Sequence, residues 1–175
     1  MANELFLPPS TLEDIEATKS RCKALVTKRA LMSAGVSMVP IPGLDFATDV
    51  GLLMRLLPEI NRLFGLTPAQ IERLNPRKQI LVYRAMVTFG GALIGRLVTQ
   101  SLVIQTLKSV GIRLTTKQAT KYVPIAGQAL SAALGFTAIR YVGLKHIEDC
   151  VRVLKGVIND EQQAAAGYPK AERVR

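Results

Sequence analysis

VPIPGLDFATDVGLL, residues 39–53, is answered by VPIAGQALSAALG, residues 123–135. The two versions share Val, Pro, Ile and both glycines, and each runs from a proline-bearing turn into a stretch whose small residues fall four apart. Gly43, Ala47 and Gly51 form that edge in the first copy, and Gly127, Ser131 and Gly135 in the second. A spacing of four over two turns is the period of a helix that offers one close-packing edge. The prolines Pro40, Pro42 and Pro124 read as the turns ahead of those helices. No segment alternates polar and apolar residues as a half-buried strand would. The expected fold is therefore all-α, a single bundle of five or six helices containing two pseudo-repeated VPIxG hairpins.

Outward from these turns, Ser10 and Glu13 have capping-box spacing, and a helix from about Thr11 is expected to run until Pro40 and Pro42 stop it. Leu53, Leu56, Leu57, Ile60 and Phe64 then recur at helical spacing, with Pro58 a kink or the first turn of a new piece and Gly65 the end. Thr67-Pro68 and Asn75-Pro76 each look like an N-cap followed by proline at the first helical position. The second is expected to open the longest helix, to about Ser109, with Gly91 and Gly95 as a GxxxG surface at its middle. After Gly111, a short segment reaches Pro124, and a last helix from about Gln128 carries Ile147, Val151, Leu154 and Ile158 on one stripe, with Glu148 paired to Arg152. Residues 1–10 read as an N-terminal segment, 11–158 as the helical domain and 159–175 as a flexible tail.

The 175 residues suffice for one core. Aromatics are 5% of the chain and Trp is absent, which suits helices packed on helices. The two cysteines, Cys22 and Cys150, are too few to staple a secreted domain, so reduced thiols in a cytosolic chain are expected. No secretory signal is legible at the N-terminus. Formal net charge is +10, and no acid stands between Glu72 and Glu148, where Arg73, Arg77, Lys78, Arg84, Arg96, Lys108, Arg113, Lys117, Lys121, Arg140 and Lys145 all fall. Such a field suits anionic lipid, nucleic acid or an acidic protein. Nucleic acid is the least expected, because no aromatic row or recognition-helix signature accompanies the charge.

Chemistry finds little footing. GGALIGRL, residues 90–97, has two glycines five apart, but Arg96 and Leu97 stand where a phosphate-binding loop needs Lys and Ser or Thr. His146 is the sole histidine and reads as a solvated surface residue, and neither cysteine has a basic partner that the sequence places beside it. Asp45 suits a helix first turn. Asp49, one turn deeper in an apolar run, is expected in a structural ion pair with Arg84, Arg96 or Arg140, since a buried carboxylate needs a cation. No catalytic residue, cofactor, metal site or small-molecule substrate is expected. A bilayer-spanning helix needs about 20 apolar residues. The 18 charge-free residues 122–139 contain Pro124, and only 11 separate Arg84 from Arg96.

VPIPGLDFATDVGLL followed by INRLFGLTPAQIERL, and KYVPIAGQALSAALGFTAIRY followed by EDCVRVL, resemble the helical domain that follows the GTPase domain in immunity-related GTPases. They are also similar to a bacterial family of hydrophobic helical domains often attached to GTPases. The resemblance covers roughly residues 20–158 and implies a helical module linked to membrane association and to contacts with a GTPase. No GTPase motif accompanies it, so nucleotide hydrolysis is not carried over. The expectation is a non-enzymatic, cytoplasmic protein, peripheral to or inserted in an anionic membrane. A membrane-disrupting toxin and a soluble module for a separately encoded GTPase or toxin are the alternatives.

Overall fold

A computed structural model describes residues 8–36, 44–89, 94–95, 98–115 and 124–166. Among these residues there are six helices and no strand: α1 (Leu12–Val36), α2 (Leu44–Leu63), α3 (Pro68–Ile71), α4 (Pro76–Phe89), α5 (Gln100–Thr115) and α6 (Pro124–Ala166). The all-α expectation holds. The turns at Pro40, Pro42 and Gly43 lie outside the described residues, as do Gly91 and Arg96.

Local chemistry places most of the boundaries. Thr11, rather than Ser10, caps α1, its Oγ1 accepting from the Asp14 backbone N–H at 3.1 Å. Thr67 and Gln70 form a reciprocal capping box at α3, and Asn75 Oδ1 accepts from the Lys78 N–H at 2.8 Å to start α4. α2 continues through Pro58 and stops in a Schellman turn. There Gly65 takes φ 69°, its N–H reaches the Arg62 carbonyl at 3.1 Å, and the Leu66 N–H reaches that of Asn61 at 2.8 Å.

Four expectations are corrected. Helix α4 ends at Phe89 instead of continuing to Ser109, and Gly95, inside the expected span, adopts φ +65°, outside helical geometry. The proposed GxxxG surface therefore does not exist as a helix face at Gly95. The longest helix is α6, with 43 residues, and it starts at Pro124 rather than Gln128. Proline is well suited to that first position because its missing N–H has no intrahelical partner there. α6 also continues to Ala166, past the expected boundary at 158. Finally, Arg152 pairs with Asp149, three residues away, instead of Glu148, and Lys145 Nζ joins the same carboxylate at 3.4 Å.

α6, about 65 Å long at 1.5 Å per residue, is the spine. Helices α1, α2, α4 and α5 all contact it. The α2 stripe Leu53, Leu56, Leu57 and Ile60 is buried, with Phe64 just after it, as is the α6 stripe Ile147, Val151, Leu154 and Ile158. From α1, Ile15, Cys22, Val26 and Ala30 complete the same core.

Candidate functional site

Among the described residues, the most deeply buried polar side chains are His146 and Asn61, each 2% exposed, together with the fully buried thiols of Cys150 and Cys22. His146 reaches this position because it shares a helical stripe with Ile139, Val142, Cys150, Val153 and Val157, all of which are buried. Its Nε2 stands 2.9 Å from Asn61 Oδ1. The Cys150 thiol lies 3.8 Å from the same oxygen and 4.0 Å from His146 Nε2. The expected solvated His146 is thus overturned, and four residues along α6 bring imidazole and thiol together, a neighbour for Cys150 that the reading of the sequence passed over.

Electrostatics argue against chemistry at this cluster. Burial lowers His146 to about 4, against the opposing pull of the Asp149 charge and a hydrogen bond to the Leu57 backbone, so the ring is neutral at pH 7. Burial likewise pushes Cys22 up to about 12 and raises Cys150 well above the ordinary thiol value. A nucleophilic thiol needs a lowered pKa, an accessible sulfur, and a base oriented through its second nitrogen. Here thiol and amide crowd the same ring nitrogen and water is excluded. The arrangement satisfies buried polar groups and fixes the register of α2 against α6. Among the described residues, no group of three or more His, Cys, Asp or Glu is placed to hold a metal ion.

The repeated phrase is brought into contact with itself. Asp49 on α2 is 8% exposed and sits over Gly135 of α6, where an added Cβ would be 3.2 Å from Asp49 Oδ2. Glycine at the end of the second copy's small edge thus makes room for the carboxylate of the first. Arg84 and Arg140 lie exposed on α4 and α6, and Arg96 is outside the described residues. Asp45 falls in the first turn of α2, and Ala47 follows it on the same helix. Gly127 and Ser131 lie on the first turns of α6 after Pro124. Gly51 is exposed, and a Cβ there would meet nothing within 4 Å, so no neighbour packs against α2 at that position.

Among the described residues, the closest helix approaches use glycines that the repeat did not single out. A Cβ on Gly143 would come within 2.8 Å of both methyls of Val26 on α1, and one on Gly156 within 2.9 Å of the Phe89 ring on α4. Gly143 lies one residue from Val142 on the buried stripe, the signal that could have identified it.

No described helix is long and apolar enough to cross a membrane. The chain is 37% identical over 73 residues to interferon-inducible GTPase 5 of Rattus norvegicus, a match covering 42% of this chain and 16% of the relative. Interferon-inducible GTPase 5 of Bos taurus matches with the same identity and coverage. The chain thus spans about a sixth of the length of the curated relatives it matches. No family model matches, and no solved structure does. What is similar to an interferon-inducible GTPase is a partial stretch of a chain that is helical in all its regular described structure.

Proposed function

We propose that this chain is a non-enzymatic helical module that binds anionic membrane surfaces peripherally, a reading in keeping with the membrane association that the resemblance to the helical part of immunity-related GTPases implies. The observation that carries the reading is the charge distribution: 23 basic against 13 acidic residues, and no acid from residue 73 to 147. A bilayer carrying anionic lipid attracts such a field by about 1 kcal/mol per cation near the surface. Without a described spanning helix, attachment rests on charge and on apolar side chains at the interface.

Flotation with vesicles of phosphatidylcholine and phosphatidylglycerol is the direct test. The protein should rise with anionic vesicles at low salt, stay down with neutral ones, and release at high salt. Failure to float with anionic vesicles at low salt ends the proposal.

A second reading follows from the partial match to GTPase sequences: a helical module that docks on a separately encoded GTPase. Stable co-purification with such a protein, with no vesicle binding, would select it.

A further inference from the structure

Helix α4 is apolar on two sides. Val82 and Ala85 are buried towards α6, while Ile80, Tyr83 and Val87 on the same helix are 67%, 47% and 89% exposed. At 100° per residue these three side chains fall within an arc of about 60°, and Arg84 and Arg77 follow within about another 60° on one side. Lys78 points elsewhere, to Glu161 of α6 at 3.2 Å. Among the described residues, neither Arg77 nor Arg84 has an acidic partner within 4 Å.

We propose that the outward face of α4 is the membrane-contacting surface, with Ile80, Tyr83 and Val87 entering the interface of an anionic bilayer and Arg77 and Arg84 holding phosphate head groups beside them. The inference rests on the membrane reading above and assigns it to one helix. Charge complementarity selects the occupant: a bare apolar ridge edged by unpaired guanidiniums matches an apolar layer roofed by anions. Tyr83 adds an amphipathic ring suited to the boundary between the two. Guanidinium recognises phosphate by paired hydrogen bonds, which favours arginine at this edge.

The test uses the full chain and vesicles of phosphatidylcholine with phosphatidylglycerol. The I80D/V87D double variant alters only exposed positions, so its thermal melt should match the wild type while its vesicle affinity falls about tenfold or more. R77Q/R84Q should weaken binding less and flatten its salt dependence. A polarity-sensitive dye on Val87→Cys should shift to the blue on vesicles, whereas the same dye on Ala24→Cys, at an exposed position of α1, should not. If the wild type floats and I80D/V87D floats equally well, the α4 assignment is wrong and the membrane reading stands. If the wild type does not float, both fall. If instead I80D/V87D abolishes self-association of the wild type and leaves flotation unchanged, the ridge is a contact between copies and the proposal is overturned.

Discussion

His146 makes the interior sensitive to acid. Its folded value lies near 4 and its unfolded value near 6.5, so between these the unfolded chain binds a proton that the folded chain does not. By linkage, stability is fully present above about pH 6.5 and declines as pH falls through that window, by about 2 kcal/mol between pH 6.5 and 5. That window lies above the ordinary carboxylate range, which isolates the imidazole. Denaturant midpoints at pH 7 and pH 5 should therefore differ in the wild type, and His146→Gln should lose most of the difference. An equal slope in both proteins would mean that other groups titrate. The partner matters as much: Asn61→Ala leaves Nε2 of a ring that is 2% exposed without its 2.9 Å contact, and a loss of about 2 kcal/mol is expected at neutral pH. The two thiols, buried and raised, should resist a thiol reagent at pH 8 until denaturant is added, when both react. Rapid labelling of native protein would show that the bundle opens on its own.

Among the helices, glycine has opposite meanings at two sites that look alike in sequence. Gly143 faces both γ-methyls of the buried Val26, which cannot turn one away without turning the other in. Alanine there gains about 1 kcal/mol of helix propensity but overpacks the α1–α6 contact by about 1–3 kcal/mol. Gly51 faces open space, so Gly51→Ala keeps the propensity gain alone. Melting temperatures should accordingly fall for Gly143→Ala and rise by a few degrees for Gly51→Ala. The reverse order would contradict the packing. The motif had marked Gly51 and passed over Gly143, because spacing within one helix shows which residues share an edge and not whether another helix lies against it. Caps were more legible: Thr67 and Asn75 act where side chain and backbone are neighbours in sequence. The same proline rule, applied to Pro124, would have placed the start of α6; the apolar run after Pro76 concealed that α4 ends at Phe89 and that Gly95 takes a positive φ.

At the scale of the molecule, the buried stripes of α2 and α6 were visible in the sequence because burial repeats at the helical period. The polar cluster was not, since His146 and Asn61 are 85 residues apart and meet only when the two helices pack. Net charge was equally legible, and it carries a consequence for the fold itself. Among the described residues, six ion pairs hold Glu16, Glu59, Asp149 and Glu161 to nearby cations. Most members of these pairs are substantially exposed, so each pair contributes little, on the order of 0–1 kcal/mol, and added salt removes little by screening it. Against them stands the mutual repulsion of a surplus of ten positive charges, concentrated where no acid intervenes. That repulsion acts over many pairs and is screened once the Debye length falls to about 10 Å at 0.1 M salt. The repulsive sum should dominate, and the melting temperature should rise by a few degrees between low salt and about 0.3 M sodium chloride, each kcal/mol being worth about 2–4 °C for a chain of this size. An anionic vesicle that supplies the missing negative charge should stabilise the fold at low salt in the same way. A melting temperature that falls with added salt would show that attraction within the chain outweighs its charge surplus, and would remove the electrostatic motive for seeking an anionic surface.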